Sequence, residues 1–275
     1  MSVQPSLRLN DGREMPQLGL GVWQTPADET AQAVKAALDT GYRSVDTAAI
    51  YRNEKGVGEG LRAASVARAD VAVTTKLWNE QQGFDSALKA FDDSLGRLGL
   101  DYVDLYLIHW PCPSRELYVD SWRALIRLKE EGRARSIGVS NFKAEHLKRI
   151  IDETGVTPAI NQIELHPRWQ QQAMRDLDAA LGIITESWSP LGQGVLLADP
   201  ALVAIAAKHG RTPAQVVIRW HLDLGLMVIP KSVTPSRIVE NFQVFDFKLD
   251  AQDIAAISAL DDANGRIGPD PAAFG

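Results

Sequence analysis

Short apolar runs alternate along this chain with longer segments whose apolar residues recur at helical spacing. The runs at 17–21, 43–46, 71–76, 103–108, 136–140, 159–163, 183–188 and 226–229 are too short for helices and apolar along most of their length. Such runs predict strands buried on both faces of a parallel sheet. The segments at 28–40, 86–98, 120–131, 143–152 and 213–221 predict helices. In the first, Ala31, Val34, Ala37 and Leu38 share a face and Gly41 supplies a stop; in the third, Trp122, Leu125, Ile126 and the stem of Lys129 do so before Gly132. Pro213 suits the first position of a helix, where its missing N–H leaves no bond unmade. Ahead of this alternation, 7–9 and 13–15 flank Asn10-Asp11-Gly12, a β-hairpin signal.

Repeated strand–helix units predict a (β/α)₈ TIM barrel with an N-terminal β-hairpin; an open doubly wound sheet of similar content is the other arrangement to weigh. The 275 residues suit one such barrel, and no Gly/Ser/Pro linker or charge block divides them, so a single domain over 1–275 is expected. The tail 261–275, rich in Gly, Pro and Asp, reads as a loop.

Charge narrows the function classes. A net charge of −6 argues against non-specific nucleic-acid binding, though a local basic pocket for one phosphate stays open. The single cysteine, Cys112, can form no intramolecular disulfide, which fits a reducing compartment. No apolar run has the length of a signal peptide core or a membrane span, so a cytoplasmic protein is expected, with no membrane partner.

A barrel of this kind carries its chemistry at the C-terminal ends of its strands. There stand Asp46 with Tyr51 just beyond it, Lys76, His109, Ser140-Asn141, Asn161-Gln162, Trp188 and Pro230-Lys231-Ser232. Taken singly, Asp46 could cap a helix, Lys76 could be solvated, and His109 and Tyr51 could be packing residues. Converging at one mouth, they make a coherent proton-transfer group. A free tyrosine has a pKa of about 10 and is a poor acid at neutral pH. A neighbouring Lys76, held by Asp46, is expected to lower it, and His109 could hydrogen-bond a carbonyl oxygen. Reduction of that carbonyl to an alcohol then needs a hydride from a nicotinamide cofactor. The usual dinucleotide fingerprint is missing: Gly56, Gly58 and Gly60 follow Lys55 rather than a strand and read as helix entry. A barrel can instead bind phosphates near its last strands, where Lys231 and Arg237 lie; on their own these would read as surface cations.

The residues resemble the aldo-keto reductase family over almost the entire chain. The resemblance rests on Gly41-Tyr42-Arg43-Ser44-Val45-Asp46-Thr47-Ala48 leading to Tyr51, on Lys76-Leu77-Trp78-Asn79, on Asp104-Leu105-Tyr106-Leu107-Ile108-His109-Trp110-Pro111, on Gly138-Val139-Ser140-Asn141-Phe142, on Asn161-Gln162-Ile163-Glu164 and on Ile229-Pro230-Lys231-Ser232. It implies Tyr51 as general acid, Lys76 and Asp46 as its tuning pair, and His109 as the residue orienting the carbonyl. It implies that Ser140, Asn141 and Gln162 hold the nicotinamide carboxamide and that Trp188 stacks on the ring, where many members carry Tyr. Ser189 and Leu191 follow as cofactor contacts. Lys231, Ser232 and Arg237 match the pocket for an adenosine 2′-phosphate, with Val233, Thr234, Glu240 and Asn241 beside it, implying NADPH. Within the family the chain most resembles bacterial 2,5-diketo-D-gluconate reductases, through Trp188 followed by Ser189-Pro190-Leu191-Gly192-Gln193-Gly194, Thr212-Pro213-Ala214-Gln215 and Val244-Phe245-Asp246-Phe247. A monomer is the family expectation.

Trp23, Trp78 and Trp110 follow strands and are expected to line the substrate pocket with Tyr51 and His109, a wall suited to small aldehydes, diketones or keto-sugars. The connections after Trp110, toward a helix near Glu116, and after Trp188, toward one near Pro200, look short, so an open pocket without long lids is expected. Two other readings stand beside the reductase. One is an NADPH-binding regulatory barrel with little turnover. The other is a metal hydrolase, for which the five histidines offer no H-x-H or H-E-x-x-H pair; no metal is expected. His146, His209 and His221 fall on predicted helices.

Overall fold

The computed structural model describes residues 4–275. A hairpin of β1 (Ser6–Arg8) and β2 (Glu14–Pro16) comes first, with Leu7 opposite Met15. Then follow β3 (Leu20–Gly21), α1 (Ala27–Thr40), β4 (Ser44–Asp46), α2 (Glu54–Ala63), β5 (Ala72–Leu77), α3 (Phe84–Leu98), β6 (Val103–Ile108), α4 (Tyr118–Glu130), β7 (Ala134–Ser140), α5 (Ala144–Thr154) and β8 (Ile160–Glu164). The chain continues through α6 (Gln172–Ala180), β9 (Ile184–Trp188), α7 (Pro200–His209), α8 (Pro213–Asp223), β10 (Met227–Val228), α9 (Pro235–Phe242) and α10 (Ala251–Ser258).

Strands β3 to β10 form one eight-stranded sheet in chain order, each parallel to its neighbour. The sheet closes on itself: Leu18 bridges Val228, Gly21 bridges Lys231, and the Gly19 N–H donates to the Val228 carbonyl at 2.9 Å. Closure makes this a barrel rather than an open doubly wound sheet.

Because side chains alternate along a strand, every second residue faces the barrel interior. The interior is apolar at its lower end, where Leu105, Leu107, Ile160 and Met227 pack with Leu9 and Met15 of the hairpin segment. The hairpin therefore plugs the N-terminal mouth, and Lys129 of α4 reaches its turn at Asp11 (3.0 Å). Two residues further along the same inward rows come Asp46, Lys76, His109, Gln162 and Glu186, so the upper interior is polar. The outward rows pack beneath the helices; Tyr106 meets Phe91 of α3 with ring centroids 4.7 Å apart.

Helix α1 buries Thr30, Ala33, Val34, Ala37 and Leu38, leaving Ala31 half-buried at the edge of its stripe. Helix α8 opens with a capping box between Thr212 and Gln215 around Pro213. Gly56, Gly58 and Gly60 lie within α2. A Cβ at Gly58 would meet the Leu98 carbonyl oxygen at 1.9 Å, so that glycine serves a close approach of α2 to α3. No helix among the described residues is long and apolar enough to cross a membrane.

Candidate active site

The polar upper interior opens into a cavity of about 630 Å³ lined by Asp46, Tyr51, His109, Ser140, Gln162 and Trp188, with Trp23, Trp78 and Trp110 on its walls. Asp46 ends β4, and Tyr51 closes the short 3₁₀ turn Ala49–Tyr51 just after it. Lys76 lies near the end of β5, fully buried beneath the cavity, and His109 directly follows β6. Neighbouring strands thus bring the candidate proton-transfer residues together, as the sequence reading expects.

Lys76 Nζ donates to Asp46 Oδ1 at 2.5 Å and to the Thr47 carbonyl at 2.9 Å. It lies 5.3 Å from the centroid of the Tyr51 ring. Burial pulls its pKa down, but the charge of Asp46 and the nearby phenol outweigh burial and leave it raised, so Lys76 is an ammonium at neutral pH. For Tyr51 the sequence leads one to expect a lowered pKa, and the structure gives the opposite. Burial pushes the phenol up more than Lys76 pulls it down, with Asp46 pushing the same way as burial. Desolvation of the phenolate wins, and Tyr51 holds its proton at neutral pH.

His109 stands edge-on to Tyr51 (centroids 5.7 Å apart) and to Trp78 (5.3 Å). Burial first, then the Lys76 charge, holds its imidazole well below the usual histidine range, so it is neutral and has one N–H to give. Asn141, in the left-handed region at φ 63°, ties this end of the barrel together. Its Nδ2 donates to the His109 carbonyl (2.9 Å) and to Ser140 Oγ (3.0 Å), and its Oδ1 accepts from Trp188 Nε1 (2.8 Å).

A second cleft, of about 710 Å³, runs on from the cavity, sharing Trp23, Ser189 and Lys231 with it. Leu191, Ser232, Val233, Thr234, Arg237, Glu240 and Asn241 line it, so the residues expected at the adenosine end share one surface. Lys231 and Arg237 are exposed and make no ion pair among the described residues, while Glu240 is engaged by the Thr212 hydroxyl (2.9 Å). Thr234 caps α9 without a side-chain hydrogen bond, leaving the first amides of that helix free to meet an anion. These donors fit a dinucleotide carrying an extra phosphate.

The helices after Trp110 and Trp188 begin close to where the sequence reading expects them, but the expectation of an open pocket needs correction. The segment after Trp188 contains a 3₁₀ stretch, Gly192–Ala198, broken where Gln193 and Gly194 take positive φ, and it borders the cleft. After Trp110 the chain makes a short turn at Pro113–Arg115, and α4 starts at Tyr118, close to the position expected. More consequential is the tail, which crosses the cavity and contributes Ile267, Gly268, Pro269 and Phe274 to its wall. Glu164 holds it, accepting from the amides of Ile267 (2.6 Å) and Gly268 (2.8 Å). The Phe274 ring packs on Trp110 at 4.6 Å, and Ser114 Oγ donates to the Gly275 carbonyl at 2.6 Å. A Cβ at Gly268 would come within 2.6 Å of the Trp188 ring, so only glycine passes there. Periodicity carries no trace of this strap, because its order comes from bonds to a residue about a hundred positions away.

Cavity size alone does not mark the site. A cleft of about 730 Å³ at the hairpin end is larger, but it lies at the opposite end of the barrel from the strand-end residues and holds none of them, and two of its carboxylates are already paired, Asp104 with Arg135 (3.3 Å) and Asp246 with Arg211 (2.6 Å). The remaining histidines are engaged elsewhere: His146 Nδ1 accepts from the Lys143 amide, His209 meets Asp253, His166 meets Glu164, and His221 lies between the Val217 and Leu165 carbonyls. No group of three or more potential metal-ligating side chains occurs among the described residues.

Comparison with known proteins agrees with this geometry. A profile of the aldo/keto reductase family matches residues 15–262. An aldo-keto reductase of Mycolicibacterium smegmatis is 58% identical over 272 residues, covering 99% of this chain and 98% of that protein. The methylglyoxal reductase DkgA of Yersinia pestis is 57% identical over 277 residues, covering 100% and 99%. Among solved structures, a point mutant of Gox0644 in complex with NADPH superimposes with a TM-score of 0.96 at 54% identity, covering 100% of both chains. The chain belongs to the aldo/keto reductase family.

Proposed function

We propose that this chain reduces small aldehydes and ketones to alcohols with NADPH, taking dicarbonyls such as methylglyoxal and keto-sugars such as 2,5-diketo-D-gluconate. The observation that carries the reading is the convergence of Tyr51, His109 and the buried Lys76–Asp46 pair at one cavity, where burial favours the neutral phenol and the neutral imidazole. The adjoining cleft supports this reading of the cofactor: Lys231, Arg237 and Ser232 share its surface and would hold a 2′-phosphate. Toward the cavity, Trp188 offers an aromatic face to the nicotinamide, and Ser140, Asn141 and Gln162 offer polar groups to its carboxamide. The cofactor, when bound, supplies the hydride.

The protein's own residues do the rest. Trp23, Trp78 and Trp110 wall the carbonyl compound in and exclude water. His109 donates its N–H to the carbonyl oxygen and turns the carbon toward the donor. As negative charge grows on that oxygen, Tyr51 passes its phenolic proton to it. The phenolate left behind is stabilised by the Lys76 ammonium, which Asp46 keeps charged and aimed. Solvent then returns a proton to Tyr51.

We also read the chain as one barrel domain over 1–275, acting as a monomer in the cytoplasm, the last supported by its single, buried cysteine. The test is cofactor oxidation against a panel of methylglyoxal, an aromatic aldehyde, a diketone and 2,5-diketo-D-gluconate, each with NADPH and with NADH. Turnover with NADPH favoured is the expected result. Tight NADPH binding with negligible turnover on the whole panel would favour a regulatory barrel instead.

A further inference from the structure

Glu186 sits in β9, two residues before Trp188, almost fully buried beneath the cavity. Nothing in the proton-transfer scheme uses it. Its one hydrogen-bond partner among the described residues is Gln162, whose Nε2 lies 2.7 Å from Glu186 Oε2 and 2.9 Å from Asp46 Oδ2. An amide nitrogen carries two hydrogens, and here each meets a carboxylate. Turned over, the amide would press its oxygen against Oδ2 of the Asp46 carboxylate, an acceptor paired with Lys76, so the orientation follows from the chemistry of the neighbours. Gln162 Oε1 is thereby left without a protein partner, on a residue that lines the cavity.

We propose that Glu186 is a positioning residue for the nicotinamide: it locks the Gln162 amide so that Oε1 is held ready to accept a carboxamide N–H and one face of the ring is turned to the substrate. The inference rests on the cofactor reading above. The ionisable groups facing Glu186 are Asp46 from β4 and Lys76 from β5, while the flanking strands oppose it with Gln162 and Met227. Burial, then the charge of Asp46, pushes Glu186 up to about 7, so the acceptor weakens as pH falls through neutrality.

Glu186→Leu removes the acceptor, whereas Glu186→Gln keeps an oxygen there without the charge. Each variant is titrated with NADPH and with 2′,5′-ADP, which lacks the nicotinamide, and assayed with NADPH deuterated on either face of C4. Glu186→Leu should bind NADPH about ten-fold more weakly, the scale of one lost hydrogen bond, bind 2′,5′-ADP as the parent does, and transfer deuterium from both faces. Glu186→Gln should restore affinity and face selectivity and abolish the dependence of NADPH affinity on pH near neutrality. Unchanged NADPH affinity and selectivity in Glu186→Leu would overturn the proposal. So would an equal loss of both ligands in both variants, which marks a merely structural role. Failure of the parent protein to bind 2′,5′-ADP would bring down the cofactor reading itself, and this inference with it.

Discussion

The floor of the cavity and the cleft beside it hold their cations in opposite ways. Lys76 is fully buried, with its charge met by Asp46 at 2.5 Å. Lys231 and Arg237 are exposed and meet no carboxylate among the described residues. A buried pair is costly to break, because the partner left behind is a bare charge in a medium that solvates it poorly. Exposed cations cost the fold little and keep their charge free for a ligand. On the proposed reading the comparison teaches a division of labour: buried residues at the strand ends of the floor would govern the chemical step and the fold together, while exposed residues of the cleft, Lys231 after the last strand and Arg237 on α9, would govern which cofactor binds.

Substitutions should separate the two regions. The largest effect is expected for Tyr51→Phe, which removes the transferable proton and nothing else from the floor. Turnover should fall by about 10²–10⁴-fold while NADPH binding, followed by fluorescence quenching, is preserved. In the parent protein, kcat at saturating cofactor should stay level across neutral pH, since Tyr51 is held above its ordinary range and His109 below its own. Next comes Lys76→Met, which strands Asp46. Urea unfolding should show a loss of about 3–5 kcal/mol, against a change within about 0.5 kcal/mol for Lys231→Met. Equal losses at the two lysines would break the comparison.

The cleft is then probed by Lys231→Gly with Arg237→His. NADPH affinity should drop by about 10–100-fold, the worth of a charge-assisted contact, with NADH affinity unchanged in the same titration. If both cofactors weaken alike, the extra phosphate is held elsewhere. The smallest effect is expected for Trp188→Ala, where loss of ring stacking is worth about 0.5–1.5 kcal/mol. Reduced quenching of bound NADPH should accompany it, and unchanged quenching would remove Trp188 from the stacking role.

Much of the barrel is legible in the sequence. The run at 103–108 is β6 to the residue, and most other strands shift by only a residue or two at their ends. The first is the exception. Residues 17–19 meet the last strand through an isolated bridge and single hydrogen bonds, so only Leu20–Gly21 counts as strand. The floor was legible because its members combine a chemically telling residue type with a strand-end position. The direction of the Tyr51 shift was not, since it depends on how much water burial removes, and no spacing encodes that. In the sequence Glu186 reads as one polar residue in a strand; only the register opposite Gln162 gives it meaning. The tail escaped for a related reason: Glu164 orders it through backbone amides, which every residue but proline possesses.

The most direct test of the central claim follows the hydride itself. The parent protein is given methylglyoxal and NADPH deuterated at C4 on the transferred face, and the product is examined by mass spectrometry and NMR. The account predicts an alcohol with deuterium on the former carbonyl carbon, one for each NADPH oxidised. An unlabelled product, or NADPH that stays bound and unconsumed, would contradict it.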